Sequence, residues 1–420
     1  DTPNSLWGGY YSAIAAANMA LNAIEEKGNP ASLDPQRGEA LVCRAYCHFM
    51  LANIFCNAYD THASQSLGVP YMEEVETTVS PRYERGTLEE VYRKVERDLL
   101  EGIDLISDDS YSVPKYHFTR KAAYAFAARF YLYYMKPDFS NCDRVIDFAT
   151  RVLGTNPADL LRNWEALGNL SVNGNVQADA YIASSNEANL LISSTVSNWG
   201  AIGSDYLIGP RYFHNQTLAT SETCLSSGLW GSSDYFYLKP FSTNGFVASI
   251  LRKSGLYEGT YLYYMPVLFS TDETLLCRAE AYALKKMYAQ SAADITSWQR
   301  AYTRNKSVLT PEQINTYYDK MSFYTPFTQQ TPKKKLAPDF MIEEGMQENF
   351  IHCILHIRRI TTLHEGMRWP DIKRYGILIY RRDMANQRVT DEMPPNDLRY
   401  AIQIPRSVIV AGIQPNPRRN

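Results

Sequence analysis

Three heptapeptides, Cys43-Arg-Ala-Tyr-Cys-His-Phe49, Ala127-Ala-Arg-Phe-Tyr-Leu-Tyr133 and Cys277-Arg-Ala-Glu-Ala-Tyr-Ala283, each set small side chains and an aromatic along one face of a helix. Closely packed helix pairs need that pattern. Small residues let a partner backbone approach, and the aromatic fills the space between layers. Apolar periodicity predicts helices over residues 6–24, 34–55, 87–106, 120–135, 143–153, 271–288, 311–320 and 349–363. Asp34 and Pro35 suit a helix start, and Thr87 with Glu90 three residues on reads as a capping box. The fold class expected is mostly α, a scaffold of tetratricopeptide-like helical hairpins. At 420 residues the chain can bury a sizeable core.

Between about residues 160 and 265 the character changes. Gly, Ser, Asn and Thr dominate, and turn pairs such as Asn173-Gly174 and Asn244-Gly245 recur, which predicts a large irregular region of loops and short strands. A stretch of that length inside a compact chain is generally functional where it is ordered. It carries Trp199, Tyr206, Tyr212, Trp230, Tyr235 and Tyr237 without helical spacing, beside Asn198, Asp205 and Asp234. Tyrosine is the compositional outlier, 31 residues against 16 Phe and 6 Trp. A sugar ring offers an apolar CH face and a rim of hydroxyls. Stacking on an aromatic contributes the larger apolar term, while hydroxyls gain little net energy on exchanging water for protein. These aromatics, with Asn198 and Asp234, are therefore the candidate ligand-binding residues. The alternative is that two or three of them anchor the loops to the scaffold. Asn57, Tyr59, Asp60 and His62 form a second group that reads as turn formers.

Other chemistries find little support. A net charge of −3, from 42 basic and 45 acidic residues, makes no field to gather nucleic acid. Lys333-Lys-Lys335 reads as a solvated loop. Seven cysteines, Cys43, Cys47, Cys56, Cys142, Cys224, Cys277 and Cys353, include no CxxC and read as small buried hydrophobes. His352 and His356 could share a metal ion at i,i+4, yet they alternate with Ile351, Ile354, Leu355 and Ile357, and the packing reading is preferred. Carboxylate neighbours such as Asp108-Asp109, Glu73-Glu74 and Glu343-Glu344 read as surface, since adjacency in sequence does not set the separation that glycoside hydrolysis needs. HExxH, GxSxG, GxGxxG and P-loop motifs are absent, so no enzyme, cofactor or metal is expected. No apolar run approaches the roughly 18 residues of a membrane span. Asp1 to Trp7 has no leader or lipobox, so an export signal is expected to be removed or to lie upstream.

One further run, His364-Glu-Gly-Met-Arg-Trp-Pro-Asp-Ile-Lys-Arg-Tyr-Gly376, has no catalytic spacing. Gly366 can end a helix carrying Arg358 and Arg359 in a left-handed cap, and Trp369 can bury its ring while charged neighbours tie the next turn. The run resembles the E-G-x-R-W-x-D-x-x-R segment of the SusD/RagB family. Further segments match that family in its own order: Trp7 with Tyr10, Ile14 and Asn18; Arg44-Ala45-Tyr46; Gly68-Val69-Pro70; Arg85-Gly86-Thr87; Ala128-Arg129; Asn186-Glu187; Arg278-Ala-Glu-Ala281; Ile404-Pro405; and Asn416-Pro417. Departures are Ile357 and Thr361, where the family tends to be acidic, and Gln414 to Arg418, where it tends to read Gln-Asn-Pro-Gly-Tyr.

The resemblance implies a single SusD-like domain over 1–420. Its helical scaffold would span 1–160 and 266–380 with a loop at 321–348, its irregular ligand-binding insertion 161–265, and its C-terminal tail 381–420, packed on the scaffold. It implies a non-catalytic surface lipoprotein of the outer membrane that binds an oligosaccharide and delivers it to a SusC-like TonB-dependent transporter. Contact with the membrane would be only through an N-terminal lipid anchor not present in this chain. Peptide-binding members of the family are one alternative, and a helical-repeat scaffold for protein partners alone is another. The family segment before the first W-x-x-Y helix is missing here, so part of the binding site is expected outside this sequence.

Overall fold

The computed structural model describes residues 2–78, 81–171, 176–196, 222, 227–238, 256–258, 261–326, 330–363, 365–383, 386 and 388–418. The chain opens at Thr2, whose hydroxyl accepts from the Ser5 N–H and starts α1 (Pro3–Glu25) with a proline in its first turn. Then come α2 (Asp34–Phe55) and α3 (Leu88–Leu105), the latter entered through the Thr87–Glu90 capping box. Where α2 meets α3, Gly38 faces Gly102. A Cβ on either would stand 2.7 Å from the other's carbonyl oxygen, so the two backbones touch only because both side chains are hydrogen.

Next are α4 (Arg120–Tyr133), α5 (Ser140–Leu153), α6 (Trp164–Gly168) and α7 (Val176–Ile182). After the irregular region come α8 (Thr271–Leu284), α9 (Tyr288–Tyr302), α10 (Pro311–Lys320) and α11 (Met346–Thr361), then short α12 (Arg368–Arg374) and α13 (Arg406–Val410). Helix α4 packs on α5, α5 on α8, α8 on α9 and α11, and α10 on α11. The helix expected over 271–288 stops short because Lys286 takes a left-handed φ of 59° and turns the chain into α9.

The strands are short. β1 (Asn189–Ile192) pairs antiparallel with β5 (Val267–Ser270), Asn189 opposite Ser270. β2 (Thr195–Val196) and β3 (Leu256–Glu258) flank β4 (Tyr261–Tyr264), and β6 (Ile379–Arg382) pairs with β7 (Val389–Met393).

The three heptapeptides lie on α2, α4 and α8, and the aromatics of the first two fill the interior as their pattern predicts, whereas Tyr282 of the third is only half-buried. Tyr46 meets Phe126 at 5.5 Å and Phe269 at 5.7 Å, and Phe49 meets Phe126 at 5.5 Å and Phe130 at 5.8 Å. Each heptapeptide also buries one arginine against a carboxylate: Arg44 on Asp98 at 2.6 Å, Arg129 on Glu273 at 3.1 Å and Arg278 on Asp294 at 2.8 Å. A buried charge left alone would cost several kcal/mol, so each is held by partners on a neighbouring element.

The 364–376 run joins this interior. Arg358 donates to Glu280 at 2.5 Å, Arg374 to Glu280 at 2.9 Å and to Asp371 at 2.7 Å, and the Tyr375 hydroxyl to Glu280 at 2.6 Å. Burial opposes the charge on Glu280, yet Arg374 and Arg358 overcome it and hold the carboxyl ionised below its usual range. With Arg129 and Glu273, three guanidiniums meet three carboxylates.

Gly366 has the expected positive φ of 78°, but it is not the cap of α11. The hydroxyls of Thr361 and Thr362 bond back to the carbonyls of Ile357 and Arg358 at 2.9 and 2.8 Å, and the helix ends there. Trp369 is half-buried, edge-on to Tyr400 at 5.8 Å. Lys333 and Lys334 are not solvated either. Lys333 is buried and donates to the Tyr318 carbonyl at 2.7 Å, because the carbonyl and the Asn349 side chain together supply polar partners for its ammonium. The tail returns to the first helices, Asn416 donating to the carbonyls of Phe55 and Ile402, both at 2.8 Å.

Candidate functional site

Residues 227–238 bring part of the irregular region onto the scaffold, and one side chain fixes them. Trp230 is 1% exposed, its ring 5.4 Å from Trp298 on α9, 5.1 Å from His356 on α11 and 5.6 Å from Phe236. Phe236, equally buried, stands edge-on to Tyr302 at 5.5 Å. Gly228 and Gly231 exchange two backbone hydrogen bonds of 3.0 Å around the tryptophan. The segment just after α9 clasps the same turn: Arg304 donates to the carbonyls of Asp234 at 3.1 Å and Phe236 at 2.7 Å, and Asn305 to that of Trp230 at 3.3 Å.

This docking leaves Tyr235 44% exposed, with Asp234 exposed beside it. Its ring lies against Gly231, where a Cβ would stand 2.9 Å from the ring carbons, so a bare backbone backs one side of the tyrosine. Tyr237 is half-buried, and Arg304 and Lys306 stand 5.1 and 4.9 Å from its ring centroid. Such cations strengthen a stacking surface and supply donors for hydroxyl oxygens.

Of the candidates drawn from sequence, Asn198, Trp199, Tyr206 and Tyr212 lie outside the described residues. The structure brings Trp230, Asp234, Tyr235 and Tyr237 together on one turn. There Trp230 takes the anchoring position, whereas Tyr235 and Asp234 face solvent. Arg304 and Lys306 went unread because they follow a helix that the periodicity did not delimit.

His356 faces the Tyr318 hydroxyl at 3.0 Å and His352 faces Glu348 at 3.5 Å, so the two histidines turn to different neighbours. In the second group, Tyr59 and Asp60 line a cleft of about 310 Å³ with Glu89, Lys136 and Asp138. The Asp60 carboxylate accepts the His62 N–H at 2.9 Å, which is a turn-forming contact. A separate apolar cleft of about 350 Å³ lies between α1, residues 70–83 and the tail, lined by Trp7, Ile14, Met19, Met72, Tyr83 and Val408.

The first 132 residues match the family model of SusD-like proteins, described as starch-binding and associating with the outer membrane. A SusD superfamily protein of Bacteroides thetaiotaomicron superposes with a TM-score of 0.63 at 18% identity, over 98% of this chain and 85% of that one. The chain has the SusD fold. Two more SusD folds extend the likeness. A protein of Bacteroides vulgatus described as sugar-binding gives a TM-score of 0.65 at 19% identity, over 99% and 86% of the two chains. A SusD superfamily protein of Bacteroides fragilis gives 0.64 at 17%, over 97% and 82%. No curated protein matches the sequence. Among the described residues of this SusD-like chain, no helix is long and apolar enough to cross a membrane.

Proposed function

We propose that this chain is a non-catalytic, cell-surface glycan-binding protein. In this reading a lipid anchor upstream holds it at the outer membrane, and it hands oligosaccharide to a SusC-like TonB-dependent transporter. The observation that carries the reading is the Tyr235 platform, a solvent-facing ring held in place by the buried Trp230 and backed by Gly231, on a fold whose family model is described as starch-binding. An exposed ring with Asp234 next to it and, two residues on, Tyr237 with two cations at its ring suits a sugar, because the stack supplies the apolar term and the rim pairs the hydroxyls.

Isothermal titration against a panel of oligosaccharides tests this. Tyr235→Ala should weaken the best ligand on the order of tenfold, and Trp199→Ala should weaken it as well. Unchanged affinity in both variants would remove the aromatic site. Failure of every glycan to bind would remove the function, and release of reducing ends on long incubation would contradict a purely binding role. Co-purification of a transporter from membranes checks the delivery step.

A further inference from the structure

Where α11 meets the loops around it, two cations pair with one carboxylate and a third feels their charge. The Glu222 side chain, 4% exposed, pairs with Lys334 at 2.8 Å and Arg359 at 3.1 Å, and these two are themselves only 11% and 14% exposed. Arg368 is half-buried at the start of α12, and burial, with the like charge of Arg359, brings its guanidinium down to about 10. Among the described residues, Arg368 has no ion pair and no side-chain hydrogen bond. Asp371, whose charge it also feels, is already engaged by Arg374 at 2.7 Å. Lys334 sits 3.2 Å from the ring centroid of Tyr324, which lies 6.1 Å from the ring of Tyr380, and both tyrosines are half-buried.

The balance differs from that of the interior. There three guanidiniums meet three carboxylates, whereas here, among the described residues, three cations have one paired carboxylate. Holding surplus cations away from water is costly unless an anion joins them. Guanidinium offers a planar fork of donors that matches a carboxylate or a sulfate, and the adjacent tyrosine rings offer the apolar face a sugar ring requires. The group is compact and set among aromatics, unlike the extended basic stripe that tracks a polynucleotide.

We propose that Lys334, Arg359 and Arg368 form a subsite for an anionic sugar substituent, a carboxylate or a sulfate ester, so that the glycan captured is an acidic one. This rests on the glycan-binding reading above and narrows its substrate class. Burial lowers Lys334 to about 7 against the pull of Glu222, and Arg359 and Arg368 push it the same way. A bound anion would let Lys334 keep its proton.

The test is titration of the full chain with three oligosaccharides of equal length, one neutral, one containing uronic acid and one sulfated, at fixed pH and ionic strength. At least one acidic ligand should bind on the order of tenfold tighter than the neutral one, the worth of a charge-assisted contact, and its identity distinguishes carboxylate from sulfate. Arg368→Gln should lose that preference and Arg368→Lys should keep part of it. Because Arg368 has no ion pair or side-chain hydrogen bond to lose among the described residues, Arg368→Gln should keep or raise the Tm, whereas a structural role would lower it. Equal affinity for neutral and acidic ligands would overturn the subsite while leaving glycan binding intact. If no oligosaccharide binds, glycan binding falls and the anion site is judged alone. Galacturonate or sulfate must then raise the Tm of the native chain and not that of Arg368→Gln, and absence of that difference overturns it.

Discussion

A single residue can carry both a structural and a functional consequence, and Lys334 is the clearest case. Its ammonium is buried against the Tyr324 ring, with Glu222 as an anionic partner and Arg359 and Arg368 as like-charged neighbours. The folded-state value of about 7 lies below the usual 10.5. Between those values the unfolded chain holds a proton that the folded chain has released, so this group makes stability rise with pH from about 7 to about 10.5. Below that window both states are protonated and the cost of the buried charge is fully present. Lys334→Met removes the group. Urea unfolding from pH 6 to pH 10 should therefore show the native chain gaining on the variant as pH rises, and a constant difference across that range would contradict it. The same residue belongs to the proposed anion subsite, which is why so costly a charge is informative.

At the scale of elements, the contact between α2 and α3 depends on Gly38 and Gly102. Gly38→Ala would place its methyl 2.7 Å from the Gly102 carbonyl oxygen and 2.9 Å from the Leu105 Cβ, both on a rigid helix. The helices must then separate, and overpacking of this kind costs about 1–3 kcal/mol. Chemical denaturation of Gly38→Ala should show that loss, and the same substitution at Gly8, with open space around it, should not lower stability by strain of this kind.

Helix α2 was fully legible in the sequence because Asp34-Pro35 marks its start and its apolar periodicity is continuous. The entry to α3 was legible for the same kind of reason, since a capping box is a local device. Helix α9 was not, because its break from α8 is a left-handed lysine, Lys286, where no glycine or proline announces a turn. Helix α11 was placed too long at its end, because threonine back-bonding leaves no pattern in hydropathy. The cation cluster was hidden for a different reason. Glu222, Lys334, Arg359 and Arg368 come from four separate stretches, and Lys333-Lys-Lys335 looks solvated until the fold buries two of its members.

Across the whole molecule, a helical scaffold held by buried ion pairs supports the loops to which we assign the recognition chemistry. The two are joined at Trp230, which reaches α9 through Trp298 and α11 through His356. The run around Trp369 connects them a second time, since Asp371 and Arg374 lock the interior while Arg368, three residues before Asp371, stands in the cation cluster. Stability and binding should therefore separate cleanly between Trp230 and Tyr235. Trp230→Ala empties a fully buried position, for which roughly 3–5 kcal/mol is expected, and it also frees the turn that presents Tyr235, so Tm and glycan affinity should fall together. Tyr235→Ala removes a ring that is 44% exposed and lies against Gly231, so its Tm should stay near that of the native chain while affinity falls. Thermal unfolding and titration of the two variants side by side decide the matter. If Trp230→Ala kept full affinity at a temperature where it is folded, the turn would not be part of the site, and recognition would have to lie elsewhere on the irregular half.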